Sequence, residues 1–595
     1  MVNLKINGVP VQVENETSIL QAAKKVNIKI PTLCYCEDLS PWAACGICVV
    51  RLEGSQKLIR ACSTPVSEGM SVITHDPAIV AMRKVVLEMI LSDHPNDCLQ
   101  CPRNGRCELQ IMAADFSIRE SPFVKVNRAS AIDDSNPSVV LNPQKCIRCG
   151  RCVKVCQDMQ NVWALEFLGR GITGRIASAA DVPLGESPCI KCGQCSAHCP
   201  VGAIYERDDT AKVWDALQKP DTHGVVQIAP ATRVALSEMF GLEPGIIYTK
   251  KMYTALRRLG FKTVFDTNFS ADLTIMEEGY ELVKRLSEKG GAFPFITSCC
   301  PAWVDYLEKY YPDMMSNFST AKSPQQMMGA MIKAYWAGKA GIDPLKVYSV
   351  SVMPCTAKKW ESRRNDDMKS AGSGWDVDVS ITTRELSRMI KQAGIEILNL
   401  SDEEADNPMG PYTGAGTIFG VTGGVMEAAV RTAYFLVTKK ELGDVNFKPA
   451  RGIEGIKEAE VDFGVDLGNG LGTKIRIAVA HQMGNIEAVL EKIRSARDAG
   501  EDVPYHFMEV MACRGGCIGG GGQPYGCTDE VREQRMAGIY ADDEKSQYRC
   551  SHQNPFINQV YKEFLGEPNS HKAHKLLHTS YSKLPLYKVE PFSGI

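Results

Sequence analysis

Cysteine placement constrains this 595-residue chain more than any other feature. Sixteen of its 23 cysteines lie between Cys34 and Cys199, none follows before Cys299, and seven are spread from there to Cys550. The content is below the roughly 8–10% of a short disulfide scaffold. The start, Met1 to Ile6, shows no basic leader, apolar core or cleavage site, so a cytoplasmic protein is expected. In that setting clustered cysteines are metal ligands or catalytic groups rather than bridges. The chain therefore reads as a metal-rich front third and a larger rear module with a sparser site. Lys plus Arg total 67 and Asp plus Glu 70, a formal net charge of −3, which argues against a nucleic-acid binder. No run approaches the roughly 18 uninterrupted apolar residues of a membrane span. Length predicts about three to five domains of roughly 100–200 residues.

Residues 2–13 alternate on either side of Asn7-Gly8, a hairpin signal because the two-residue turn needs positive φ at both centres. Ser18 opens a helix-like Ile19–Ala23, and hairpin, helix and Cys-rich loop together predict a small β-grasp domain. The first thiol group is Cys34-x10-Cys45-x2-Cys48-x13-Cys62. Two irons bridged by sulfide need four thiolates, and three in a loop plus a distant fourth is similar to the plant-type ferredoxin pattern, here with a longer first gap. Spacing leaves Cys36 as a rival to Cys34, and a four-cysteine zinc site as the rival metal. His94-x3-Cys98-x2-Cys101-x5-Cys107 comes next. One imidazole in place of a thiolate is allowed chemistry and changes cluster potential. A lone His is more often structural; its place just before Cys98 makes it a ligand candidate.

The polar stretch Asn127 to Pro143 predicts a linker or loop. Beyond it, Cys146-x2-Cys149-x2-Cys152-x3-Cys156 and Cys189-x2-Cys192-x2-Cys195-x3-Cys199-Pro200 repeat one spacing, an internal duplication. Both match the bacterial two-cluster ferredoxin run, in which each fourth cysteine serves the other cluster. That assigns Cys146, Cys149, Cys152 and Cys199 to one cubane, and Cys189, Cys192, Cys195 and Cys156 to the other. Gln157 stands where the first run lacks the trailing proline. Such a front third is an electron wire. It resembles the matching region of the large peripheral subunit of respiratory NADH dehydrogenase, and the N-terminus of some formate dehydrogenases.

From about Lys212 onward, apolar runs such as Val225–Ile228 and Ile475–Ala480 alternate with helix-like segments such as Asp272–Leu286, as in an α/β domain. Thr297–Trp303, Met353–Glu361 and Glu509–Pro524 offer Cys300, Cys355, Cys513 and Cys517, enough thiolates for one more cubane. The glycines after Cys517 permit backbone to approach a bulky inorganic group. An ordinary fifth cluster, or reduced core cysteines, would use the same residues. Glu278, Glu281 and Arg285 stand at i, i+3 and i+7 and would by themselves be a solvated ion-pair face.

The three rear segments resemble the signatures of the [FeFe]-hydrogenases, and the resemblance extends over essentially the whole chain. It implies a [4Fe-4S] cubane on Cys300, Cys355, Cys513 and Cys517. Cys517 also bridges to a diiron subsite with CO, CN⁻ and an amine-containing dithiolate, the whole being the H-cluster. It selects Cys34 over Cys36 and makes nineteen cysteines and His94 ligands, leaving Cys36, Cys299, Cys527 and Cys550. Cys299 is implied as proton donor to the bridging amine, which suits a thiol of ordinary pKa about 8.5. Glu278, Ser319, Glu281 and Arg285 are implied as the proton path, and Lys358 as the cyanide's hydrogen-bond donor. Pro230, Ala231, Gln325, Met353, Phe419 and Met511 line the subsite, with Ala231 replacing a small hydroxyl residue of some relatives.

The implied fold is multidomain α/β. Its parts are a β-grasp plant-ferredoxin-like [2Fe-2S] domain over 1–78, a [4Fe-4S] domain with one His and three Cys ligands over 79–126, and a two-cluster ferredoxin-like domain over 127–211. An α/β H-cluster domain follows over 212–535, and a short-subunit-like wrapping segment over 536–595. The activity implied is reversible interconversion of H2 with protons and electrons, relayed through three accessory [4Fe-4S] clusters and one [2Fe-2S]. The modular order looks like the large subunit of NAD(P)-linked, including electron-bifurcating, complexes with flavin- and NAD(P)-binding diaphorase subunits. Hydrogenase maturation proteins would deliver the diiron group. A stand-alone ferredoxin-linked enzyme is the alternative, followed by a non-catalytic electron-transfer subunit and an iron–sulfur assembly protein. Gly414–Gly420 fails the dinucleotide-loop spacing, so no nicotinamide or flavin is expected here. His571, His574 and His578 could share a helical face, but with no carboxylate or thiol to complete a metal site.

Overall fold

The computed structural model describes residues 1–126, 130–288 and 291–588. The first three residues of the expected linker, from Asn127, and the last seven of the expected wrapping segment lie outside the described residues. The chain forms two compact units, Met1–Ser187 with His198–Tyr205, and Pro188–Ala197 with Glu206–Ile595.

In the front unit, β1 (Val2–Ile6) and β2 (Val9–Val13) pair antiparallel through Asn7 (φ 51°) and Gly8 (φ 81°), the left-handed pair a tight hairpin requires. Strands β3 (Val49–Leu52), β4 (Leu58–Arg60) and β5 (Ser71–Ile73) complete a sheet of order β2-β1-β5-β3-β4. Helix α1 (Ile19–Lys25) starts at a Ser18–Gln21 capping box, which satisfies two end N–H groups reciprocally, and buries Ile19, Leu20, Ala22 and Ala23 in the sheet's core. Arg83 on α2 (Pro77–Ser92) donates to Val49 O and Thr74 O at 2.7 and 3.0 Å, fastening that helix to β3. A further hairpin pairs β6 (Leu165–Leu168) with β7 (Arg175–Ser178).

The rear unit holds two four-stranded sheets. Its strands are β8 (His223–Ile228), β9 (Thr263–Asp266), β10 (Phe295–Ile296), β11 (Val347–Met353), β12 (Val379–Thr382), β13 (Ile456–Asp462), β14 (Lys474–His481) and β15 (Phe507–Met511). One sheet, β9-β8-β11-β12, is wholly parallel; the other, β10-β15-β14-β13, is parallel except for its β13 edge. Parallel strands are covered on both faces, hence the near-continuous burial of β8, β11, β12 and β15. The covering helices include α3 (Thr267–Ser287), α4 (Pro301–Tyr310), α5 (Pro324–Met331), α6 (Thr383–Gln392) and α7 (Gly424–Thr438). Helix α8 (Asp529–Lys545) and short α9 (His571–Leu577) follow. Helix α3 starts five residues before the apolar periodicity suggested, because its first turn is buried all round and Asp266 caps Asn268 N.

Crucially for the site, Pro230 and Ala231 follow β8, Cys299 and Cys300 follow β10, Cys355 follows β11 and Cys513 follows β15. All leave the carboxyl ends of parallel strands, where open α/β sheets place ligands. Gly414 lies in a buried helix, Gly414–Ile418, where a Cβ would stand 1.9 Å from Asp543 Oδ1, so close packing demands this glycine. The expectation about the tail histidines needs correction: a carboxylate does meet them. His578 Nε2 lies 3.0 Å from Glu277 Oε2, with the His574 and His578 rings 4.0 Å apart, and Glu277 also accepts from Asn569 N and the Tyr561 hydroxyl. Among the described residues no helix is long and apolar enough to cross a membrane.

One buried ion pair steadies the loop after Cys517. Glu206 Oε2 meets Arg384 at 2.9 Å and Oε1 meets Arg388 at 2.8 Å. The Arg384 fork then donates 2.7 Å bonds to Gly521 O and Gln523 O. Burial works against the Glu206 charge, but the two guanidinium groups outweigh it and hold its pKa far below the usual carboxylate range. A depressed carboxylate stabilises above its unfolded pKa of about 4.3 and loses that contribution as pH falls. Glu206→Gln should therefore cost about 3–5 kcal/mol at neutral pH, lower the thermal unfolding midpoint, and show a shrinking deficit below pH ~4. A variant as stable as the parent at pH 7 would refute this account.

Candidate active site and metal centres

Cys300, Cys355, Cys513 and Cys517 line one cavity at the strand ends, together with Cys299, Lys358, Pro230, Ala231, Gln325, Met353, Phe419 and Met511. All four thiols are free of disulfides, and burial lifts the pKa of each above its ordinary value, Cys355 to about 12. Four such neutral thiols facing one space gain little, whereas a bound metal deprotonates a coordinating thiol outright. The donor set fits a cubane. Met353, Met511 and Phe419 are nearly fully buried and make that space apolar, and Cys300 Sγ accepts from Ala512 N at 3.4 Å.

Lys358 carries the cavity's cation. Its Nζ donates to Cys299 O at 3.1 Å and pairs with Glu361 Oε2 at 2.9 Å. Burial disfavours that charge, yet Glu361 and Cys355 beside it hold its pKa above the ordinary lysine value. Glu361 also accepts from Ser323 Oγ (2.9 Å) and Gln325 Nε2 (3.0 Å), so one carboxylate sets three cavity-side groups. Pro230 and Ala231 are positioned through Arg233, whose guanidinium makes a two-pronged contact with Asp266 at 2.8 and 2.9 Å, both side chains fully buried.

Cys299 is 9% exposed, and burial, reinforced by Glu278, raises its thiol well above the usual value. Glu278, 1% exposed on α3, is pushed up to about 8 by burial, against the opposing pull of the Ser319 hydroxyl and with Glu281 adding repulsion. Glu281 Oε1 pairs with Arg285 at 2.6 Å, one turn further along the same helix. Arg285 also donates to Phe318 O at 2.9 Å, the residue before Ser319. The structure thus brings Cys299, Glu278, Ser319, Glu281 and Arg285 into a file, rather than leaving the last two helical positions on an open ion-pair face.

In the front unit, the Cys34 thiol hydrogen-bonds with those of Cys45 and Cys62, and the Cys62 thiol with that of Cys48. Their shared protons draw Cys34 and Cys48 down, Cys48 to about 7, and push Cys45 and Cys62 up. Cys36 faces elsewhere: burial would raise its thiol, but His198 and Arg151 beside it draw it below the ordinary value. His94 Nδ1 lies 3.2 Å from both Asn96 Oδ1 and Asn96 N, and the buried Nε2 has no hydrogen-bond partner among the described residues. A Cβ on Gly202 would lie 2.4 Å from Cys101 Sγ. Cys98 and Cys107 flank the same loop, with Cys107 leading into the helix Glu108–Asp115. Cys149 has Cys199, Arg151 and Cys146 for neighbours, and Cys152 follows one turn on. Cys146, Cys156 and Cys189 each accept a backbone N–H at 3.2–3.4 Å, the kind of bond that tunes cluster potential.

Two residues without a sequence signal of their own join these parts. Gln194 Nε2 donates to Cys513 Sγ at 3.1 Å and to Gly519 O at 3.0 Å, linking the Cys192–Cys195 turn to the rear thiols. Glu509, fully buried on β15, accepts from Gly423 N and Met426 N at 2.6 and 2.7 Å, anchoring the start of α7 beside the site. Gln194 stood inside a Cys-rich run and Glu361 inside a signature segment, but nothing in one dimension names their partners.

Fold and site define an iron–sulfur redox enzyme whose terminal thiols enclose an apolar cavity. Residues 222–521 match the family described as iron only hydrogenase large subunit, C-terminal domain, and 529–584 the iron hydrogenase small subunit. Residues 1–77 match a 2Fe-2S iron-sulfur cluster binding domain, 83–122 the NADH-ubiquinone oxidoreductase-G iron-sulfur binding region, and 145–204 a 4Fe-4S dicluster domain. The chain is 45% identical to the NADP-reducing hydrogenase subunit HndD of Solidesulfovibrio fructosivorans, covering 98% of this chain and 99% of that one. It is 39% identical to iron hydrogenase 1 of Clostridium pasteurianum, covering 98% and 100%. The solved [FeFe]-hydrogenase HydA1 of Chlamydomonas reinhardtii aligns with a TM-score of 0.55 and 42% identity, over 63% of this chain and 99% of that one. The chain belongs to the iron-only, or [FeFe], hydrogenases, oxidoreductases that act on H2.

The distinct surroundings of Cys34 and Cys36 are separable by experiment. Cys34→Ser should remove about two irons per chain and the [2Fe-2S] electron paramagnetic resonance signal. Cys36→Ser should leave both unchanged, and equal losses in the two variants would sink the assignment.

Proposed function

We propose that this chain is a catalytic subunit that interconverts H2 with protons and electrons at an H-cluster held by Cys300, Cys355, Cys513 and Cys517. The carrying observation is that four thiols from distant loops and the separate thiol of Cys299 meet in one apolar cavity. When bound, the diiron group supplies heterolytic splitting of H2. Protein residues supply the rest. Pro230, Ala231, Gln325, Met353, Phe419 and Met511 shape the space and exclude water, and Lys358, steadied by Glu361, offers a donor to an anionic ligand. Cys299 passes protons to and from Glu278, with Ser319, Glu281 and Arg285 continuing the file outward. Clusters held by Cys189, Cys192, Cys195 and Cys156 and by Cys146, Cys149, Cys152 and Cys199 would carry electrons between the site and clusters held by the His94 and Cys34 groups.

The relative named as an NADP-reducing hydrogenase subunit, matched along its full length, supports coupling through flavin- and NAD(P)-binding partner subunits in the cytoplasm, with ferredoxin as a further carrier. Iron hydrogenase 1, whose name carries no NADP partner and which is matched over its whole length, leaves the ferredoxin-linked enzyme as the alternative reading. Copurification decides: a flavoprotein partner with H2-dependent NAD(P)⁺ reduction supports the first, and a monomer active only with ferredoxin defeats it.

Anaerobic infrared spectroscopy of protein matured by the hydrogenase maturation proteins should show bands from iron-bound CO and CN⁻; their absence would leave an electron carrier or assembly protein. Cys299→Ser should nearly abolish turnover with iron content intact. Glu278→Gln should lower turnover by about 10²–10⁴-fold. With its carboxyl raised to about 8, Glu278 is protonated below that pH, so wild-type H2 evolution should fall as pH rises through it, and the Gln variant's residual activity should lack that limb.

A further inference from the structure

Outside the thiol groups already described, three ligand types converge in the rear unit. Cys550 Sγ, a ring nitrogen of His552 and a carboxylate oxygen of Glu441 all lie within 4.8 Å of one another. Cys550 is 1% exposed, while the Glu441 side chain is 52% exposed and leaves one side open to water. The surroundings orient each group. The His552 ring stacks flat on Phe435 (4.2 Å, 4°) with Nδ1 3.4 Å from Thr432 Oγ1, which turns Nε2 toward the Glu441 oxygens at 3.1 and 3.2 Å. Gln553 Nε2 holds Glu441 Oε2 at 3.2 Å. Partners that fix ring and carboxylate in this way are what metal sites build around their ligands. A His–Glu pair accounts for two of the groups, and the buried thiol, which also caps the turn Ser551–Gln553, brings a third donor type within the same 4.8 Å. Burial lifts that thiol to about 11, and burial also keeps His552 neutral near pH 7.

We propose that Glu441, Cys550 and His552 form a zinc site, with water as the fourth ligand. Thiolate, imidazole and carboxylate are the donors Zn²⁺ takes in tetrahedral sites. Zn²⁺ binding releases one proton from Cys550 and none from His552, and involves no electron transfer. The site ties the turn Ser551–Gln553, in the segment matched to the small subunit, to the loop after α7 in the large domain. It is independent of the hydrogen chemistry.

The test uses matured holoenzyme, in which iron occupies the cluster cysteines, incubated with zinc sulfate and desalted. Metal analysis should find about one zinc per chain, and zinc-edge X-ray absorption a single sulfur at ~2.3 Å with nitrogen and oxygen at ~2.0–2.2 Å. His552→Ala and Cys550→Ser should lose the zinc while iron content holds. Glu441→Gln, altering an exposed side chain, should keep fold, iron and turnover yet surrender zinc to a chelator at least tenfold faster. Zinc-free holoenzyme should exchange amide hydrogens faster across residues 546–566. No retained zinc, a multi-sulfur environment from zinc astray in cluster cysteines, or equal retention in His552→Ala and Glu441→Gln would each overturn the proposal.

Discussion

Buried sulfur is the constraint on which the rear unit depends. A thiol loses hydration when enclosed and becomes harder to ionise, as the raised pKa values of Cys300, Cys355, Cys513 and Cys517 show. Only a cation that replaces the protons makes four of them worthwhile in one place. The parallel sheets answer the geometric half of that demand, since successive strands deliver their following loops to the same edge. The energetic half is met by buried side chains that hold those loops without adding flexible contacts: Arg384 on the glycines after Cys517, Glu509 on the start of α7, and Arg233 with Asp266 behind Pro230.

Charge is managed with the same economy. Lys358 sits in a pocket with almost no other polar atoms, yet its positive state persists because Glu361 lies at 2.9 Å and shares the burden with Ser323 and Gln325. Glu278, fully buried on α3, is driven toward its neutral form by that burial.

Much of this was legible in one dimension. The Asn7-Gly8 turn, the Ser18 cap and the doubled Cys spacing each act over a few residues, so local chemistry declares them. The rear cysteines were recognisable only through signature segments, because their convergence depends on strand order. The partners of Glu361, Gln194, Glu206 and Cys36 were invisible. Glu206 meets Arg384 and Cys36 meets His198 across long stretches of chain, and such pairings leave no periodic trace. The tail histidines show the opposite failure: their spacing was noticed, but Glu277, which receives His578, lies far upstream on α3.

The stretch Pro188–Ala197 groups with the rear unit although its neighbours in sequence on both sides group with the front. Lys191 pairs with Asp305 at 2.7 Å, and Thr356 Oγ1 donates to the Lys191 carbonyl at 2.9 Å. Anyone grafting this catalytic half onto a foreign electron donor would find no clean place to cut. A splice at residue 206 discards ten residues of the rear unit, whereas one at 188 carries over His198–Tyr205, which group with the front unit. The boundary between the two compact units of this chain therefore does not coincide with any single cut in its sequence.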